Sequence, residues 1–254
     1  AFFTGARGET DIISPRISGH HDGRHGFGGN LQMETMDASV APVGADDGIS
    51  RLYARARNAG FACLAYAGLT AAVLVFELME LGGMVDINAV VPNTLETAYL
   101  GLALIQTIVF IASVVIVAMW IYRAHANLKE RGIETESSPG WAVGWYFIPF
   151  ANLIKPFQNM RDLWNESHLE ADSYGDPAPG SITAWWACWI IANILGNVSM
   201  RMTGFGDGGN MPVGVAIGAV SSALFIAAAL LLRQLIRAIT QAQDTELNVR
   251  HVFD

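Results

Sequence analysis

Polar side chains within the apolar segments are the residues of this sequence that could take part in chemistry. They include Glu77, Gln106, Ser113, Asn193 and Asn197. A catalytic site needs an acid, a base or a nucleophile directed into one pocket, and these segments contain no histidine and no aspartate. The HExxH, GxSxG and P-loop patterns are also absent from the sequence. We therefore predict that the chain is not an enzyme.

Asn193 and Asn197 share one face of a predicted helix, since one helical turn separates them. An amide in lipid is stabilised by a hydrogen-bonding partner, so we expect both side chains to bond to another helix. The alternative is a polar lining that they form together with Asn127, Asn152 and Asn159.

Small residues recur at every fourth position of the last apolar segment, at Gly214, Gly218 and Ser222. This spacing lets a second helix backbone approach closely. The second helix could belong to this chain or to another protein, and the spacing does not separate the two.

The cysteines and histidines do not indicate a cofactor or a metal. Cys63 and Cys188 lie in separate apolar segments, without the paired spacing of a metal or redox motif. His20, His21 and His25 lie in a glycine-rich stretch that offers nothing to orient them around an ion.

Composition indicates an all-α integral membrane protein. Hydrophobic residues make up 52% of the chain and charged residues only 15%, against about 25% in soluble domains. Four stretches meet the length of about 20 residues that crosses a bilayer. We predict a four-helix membrane domain over 51–243, with transmembrane helices at 59–79, 98–122, 182–200 and 213–232.

The two ends of the chain are predicted to be tails. Residues 1–50 are glycine-rich and polar, with no apolar periodicity, and are expected to be disordered. Residues 244–254 form a short C-terminal tail. The net charge of -8 argues against nucleic-acid binding.

Basic residues near the helix ends predict the orientation of the chain. Lys and Arg concentrate on the cytoplasmic side of a membrane, which places both termini there, in a bacterial inner membrane. Ten of the eleven bases near helix ends lie on that side if residues 140–156 enter the membrane and return as a re-entrant segment. Pro149 breaks this segment, and Lys155 lies at the mouth of the asparagine lining or extends to the headgroups.

Aromatic residues are expected on the same side. Phe157, Met160 and Trp164 share one face of an amphipathic helix over 157–167, which we predict to lie on the cytoplasmic membrane surface. Five further tryptophans suggest either membrane anchoring or an aromatic vestibule around the re-entrant segment, open to a lipid, a ligand or a partner helix. They are Trp141, Trp145, Trp185, Trp186 and Trp189.

Three stretches resemble a bacterial membrane family catalogued as domain of unknown function 4328. They are WIYRAHANL at 120–128, SPGWAVGWYFIPFANLIKPFQNM at 138–160 and WWACWIIANILGN at 185–197. The family has about four helices and a P-G-W-x-x-G-W core motif, and the resemblance covers roughly residues 55–245. It implies a membrane architecture and no established activity.

Two functions fit these features. The scarcity of ionisable groups in the apolar segments favours a non-enzymatic accessory or scaffold subunit that binds membrane lipid and another membrane protein, or itself. The alternative is a small channel or transporter that uses the broken segment as a gate or filter, since interrupted helices often mark binding sites.

Overall fold

The computed structural model describes residues 43–86, 91, 93–168, 179–204 and 211–253. All regular elements in these residues are helical. Four of the helices are long and apolar enough to cross a membrane, over 47–81, 94–130, 180–203 and 211–245. This agrees with an all-α membrane architecture. The helices are α1 (Val43–Leu81), α2 (Thr94–Glu130), α3 (Pro139–Gly144), α4 (Lys155–Ser167), α5 (Gly180–Gly204) and α6 (Met211–Phe253).

The first helix begins earlier than the sequence predicts. Residues 1–42 of the predicted tail lie outside the described residues, but α1 already starts at Val43. Its first turns pack against α2: Leu52 is fully buried, and a Cβ on Gly48 would lie only 2.6 Å from Nη2 of Arg123. Packing against α2 therefore stabilises a helical conformation in residues whose composition predicts disorder.

The last helix also extends beyond its predicted end. α6 continues to Phe253, through the residues assigned to a C-terminal tail. Residues 244–253 contain neither glycine nor proline, so no helix-breaking residue ends the helix at 243.

The start of α2 is set by its local sequence. The Asn93 side chain accepts hydrogen bonds from the backbone N–H groups of Leu95 (2.8 Å) and Glu96 (3.2 Å). The Glu96 carboxylate in turn accepts from the Asn93 backbone N–H at 2.6 Å. This capping box satisfies N–H groups that the first helical turn leaves without partners.

The four long helices alternate in direction. α6 packs against both α1 and α5, and α2 packs mainly against α1. The end of α2 lies beside the end of α6, where Trp120 Nε1 donates to Thr240 Oγ1 at 3.1 Å. α5 and α6 are antiparallel, since Ser221 lies against Ala192 and Gly214 lies against Thr203. α5 therefore begins at the same end of the bundle at which α2 ends.

The connection between α2 and α5 contains no helix long enough to cross a bilayer in its described residues, 131–168 and 179. α3 is followed by two 3-10 turns, Trp145–Phe147 and Ala151–Leu153, and then by α4. Between the turns the backbone breaks at Pro149 and at Phe150, whose φ is +66°. A helix, α4, covers the residues 157–167 of the predicted amphipathic helix and begins two residues earlier. Its place in a membrane, like that of the re-entrant segment, stays a prediction.

Candidate partner- and ligand-binding site

An apolar cavity of about 120 Å³ lies among the four long helices, beneath the broken segment. Three of the five predicted vestibule tryptophans line it, and Val143, Tyr146 and Phe147 contribute from α3 and the first 3-10 turn. Aromatic rings from α2, α5 and α6 meet on its wall. The Phe110 and Trp189 rings are stacked with centroids 6.0 Å apart, and Phe225 meets Trp189 edge-on at 5.5 Å. The tryptophans that line the cavity are Trp185, Trp186 and Trp189.

The other two predicted vestibule residues lie elsewhere. The Trp141 and Trp145 rings pack on each other at 4.9 Å, and neither lines the cavity. Lys155 lies 5.9 Å from the Trp145 ring and forms an ion pair with Glu136 at 2.9 Å. The predicted vestibule is therefore two separate aromatic groups. Lys155 is held at the surface by a carboxylate and does not stand at the mouth of a polar lining.

The broken segment is attached to α5 through a tryptophan of the cavity wall. Trp186 Nε1 donates to the carbonyl oxygen of Leu153 at 3.0 Å, and thereby satisfies a backbone acceptor in the second 3-10 turn. Near the break, Phe150 remains 85% exposed. Asn152 is half-buried, and its side chain makes no hydrogen bond within the described part of the chain.

The predicted pairing of Asn193 and Asn197 with another helix is not found. Each side chain donates to the carbonyl oxygen one turn earlier on α5: Asn193 to Trp189 and Asn197 to Asn193, both at 2.7 Å. Short polar side chains often bond to the backbone of their own helix in this way. The alternative polar lining is not found either.

Asn127 instead belongs to a buried polar network where α2, α4 and α6 meet, and Asn159 forms a separate buried hydrogen bond with Ser137. The centre of the network is Gln243, which donates to the Ala124 carbonyl oxygen at 3.1 Å and to Ser167 Oγ at 3.0 Å. Asn127 donates to Gln243 at 3.5 Å, and Asn159 accepts from Ser137 at 2.8 Å. Sequence analysis missed this network because Gln243 and Ser167 look like ordinary surface residues.

The acids of α4 lie beside this network, outside the transmembrane helices. Burial raises the pKa of the Asp162 carboxyl above its ordinary value. The Glu136 backbone N–H, which donates to Asp162 at 2.8 Å, opposes this rise in pKa. Burial, followed by repulsion from Asp162, raises the pKa of Glu166.

The small-residue stripe on α6 packs within the chain. A Cβ on Gly218 would lie 2.8 Å from Ser199 Oγ, and one on Gly214 would lie 2.7 Å from Thr203 Cγ2, both on α5. Ser222 is buried as well. Of the two alternatives that the spacing left open, the structure therefore shows the one within the chain, in which α5 is the approaching helix.

Glu77 lies beside this contact. Its Oε1 would be 3.3 Å from a Cβ on Gly218, and its Oε2 is buried with no hydrogen-bond partner in the part of the chain that the structure describes. The sequence places Glu77 near the outer end of the first apolar segment, where water could solvate it. Only the packing of α1 against α6 places it in the bundle.

The residues that the structure describes contain no group of three or more His, Cys, Asp or Glu side chains placed to hold a metal ion. Four long apolar helices and a largely apolar interior define a helical membrane protein.

Comparison with protein families assigns the chain to one family. The family model "Domain of unknown function (DUF4328)" matches residues 85–241, more than half of the chain, and the chain belongs to this family. The resemblance inferred from the sequence is confirmed, although the matched region begins after α1 and not near residue 55. No curated protein and no solved structure matches the chain.

Proposed function

We propose that the protein is a non-enzymatic accessory or scaffold subunit of the bacterial inner membrane, which binds a second copy of itself or another membrane protein through the exposed face of α5. The observation that supports this proposal is the position of Asn197. This residue lies on an exposed apolar face with Ile191, Ile194 and Val198, and no element of the described chain covers it.

The Asn197 amide is only partly satisfied within the chain. One of its N–H groups is used by the Asn193 carbonyl oxygen, while Oδ1 accepts no hydrogen bond from any described residue. Lipid tails offer no hydrogen-bonding groups, so an exposed amide at membrane depth favours contact with another transmembrane helix.

A second copy of the chain suits this side chain. An amide both donates and accepts, so two Asn197 side chains related by a two-fold axis can bond to each other. The Ile194 and Val198 side chains would then pack on either side of the pair. Trp141 and Phe150, exposed on the broken segment, supply a second contact surface.

The proposed topology places both termini in the cytoplasm. The basic residues support it, and so does the start of α5 at the end of the bundle where α2 finishes. A segment that leaves and returns at one end need not cross the membrane. Residues 140–156 would then be re-entrant, and α4 would lie on the cytoplasmic surface.

The channel alternative rests on the break at Pro149 and Phe150. A charged solute needs a polar route through the membrane, because an uncompensated charge at its centre costs at least about 2.5–3.5 kcal/mol. The cavity beneath the break is lined by apolar and aromatic side chains, which supports the scaffold proposal instead.

Asn197→Leu tests the proposal. We expect it to weaken the native complex by about five- to thirtyfold, through loss of the interhelical hydrogen bonds. The monomer should be at least as stable as the parent, because the change removes a polar group from the exposed face. The measurement is complex size in mild detergent, with two differently tagged copies to separate self-association from a foreign partner.

Thr107→Leu on α2 is the matched control. Thr107 is also exposed and also bonds only to its own helix, donating to the Ala103 carbonyl oxygen at 2.9 Å. Its replacement should leave the complex intact. A parent that is monomeric and conducts a solute in vesicles would overturn the scaffold proposal in favour of the channel.

A further inference from the structure

A groove of about 300 Å³ between α1 and α6 brings three arginines together. Arg57 lines it from α1, and Arg233 and Arg237, one turn apart, line it from α6. The apolar wall consists of Phe61 and Leu64, both exposed and both on the Arg57 side. One end of the groove is therefore cationic, and its continuation along α1 is apolar.

The three arginines that line this groove have no carboxylate partner among the described residues. No described Asp or Glu forms an ion pair with Arg57, Arg233 or Arg237. The acid at the groove's outer end, Asp244, accepts a hydrogen bond from Tyr53 at 2.8 Å. Positively charged side chains that line one groove attract an anion to it.

The groove lies where the apolar parts of both helices end. Arg57 comes just before the apolar stretch 59–79, and Arg233 comes just after the stretch 213–232. Gly60 faces Arg233, with the position of a Cβ 3.9 Å from Arg233 Cγ. The aliphatic stem of Arg233 therefore lies against α1 at Gly60.

We infer that this groove binds an anionic phospholipid of the surrounding leaflet. The guanidinium groups form bidentate hydrogen bonds to the phosphate, and Phe61 and Leu64 pack along the first part of an acyl chain. Basic pockets between transmembrane helices suit such headgroups. A zwitterionic phospholipid offers the same phosphate but adds a choline cation, which the three arginines repel. Free phosphate would use only the cationic end.

The test is binding of phosphatidylglycerol to the purified full chain in neutral detergent. The comparison ligands are phosphatidylcholine with the same acyl chains and inorganic phosphate. We expect phosphatidylglycerol to bind at least tenfold more tightly than either. In the double variant Arg57→Gln/Arg237→Gln its affinity should fall about 25-fold, roughly fivefold for each arginine removed.

Arg51→Gln is the control, because Arg51 is an exposed arginine of α1 outside the groove. It should change affinity less than twofold. Phe61→Ser should weaken phosphatidylglycerol binding and leave weak phosphate binding unchanged. A variant is included only if its unfolding midpoint, measured without lipid, equals that of the parent.

Two results would overturn the inference. If Arg51→Gln weakens binding as much as a groove arginine does, the attraction is diffuse surface charge. If phosphate binds as tightly as phosphatidylglycerol, the groove recognises a free anion and not a lipid.

Discussion

At the scale of single residues, Gly218 shows how closely α5 and α6 approach. We predict that Gly218→Ala lowers the free energy of unfolding by about 1–3 kcal/mol, because the new methyl group would meet Ser199 Oγ at 2.8 Å and must displace it. Unfolding in detergent micelles measures this effect.

Gly101→Ala is the control for Gly218→Ala. Nothing lies within 4 Å of a Cβ at Gly101 on α2, so this change should be neutral or slightly stabilising. Adding Ser199→Ala should restore part of the stability lost in Gly218→Ala. Equal stability of the two alanine variants would show that the contact between α5 and α6 is looser than described.

At the scale of elements, the break between the two 3-10 turns depends on the backbone of Phe150. A side chain at φ +66° is strained, whereas glycine adopts this conformation freely. We predict that Phe150→Gly is more stable than Phe150→Ala by about 1 kcal/mol, although both lose the ring. Thermal unfolding of the two variants measures the difference.

The Phe150→Gly and Phe150→Ala variants also distinguish the contribution of the turn backbone from that of the exposed ring. If the Phe150 ring contacts a partner, both variants should weaken the native complex equally. Greater stability of Phe150→Ala would mean that the turn does not hold the described conformation.

At the scale of the whole molecule, the proposed topology makes a labelling prediction. Single cysteines replace Glu134, Gly180 or Met84 in a chain in which Cys63 and Cys188 are changed to alanine. The first two should react with an impermeant thiol reagent only from the cytoplasmic side, and Met84→Cys only from the opposite side. Labelling of Glu134→Cys and Gly180→Cys from opposite sides would show that the connection between α2 and α5 crosses the membrane.

Properties that depend on composition and local order could be predicted from the sequence. The four apolar stretches predicted four membrane-crossing helices, because burial in lipid requires the same run of apolar residues whatever the neighbours are. Pro149 predicted the break in the connection between α2 and α5. The resemblance of three stretches of the sequence indicated the family that the family model confirms.

Only the tertiary structure decided which polar and small residues meet. The spacing of Gly218 from Gly214 and Ser222 is the same whether the approaching helix belongs to this chain or to another. In the structure the approaching helix is α5. Asn197 was predicted to bond across helices but bonds to the backbone of its own helix, while Gln243, at the predicted end of the membrane domain, is fully buried. The physical reason is that spacing along a helix specifies a face, whereas what covers that face depends on how the helices pack together.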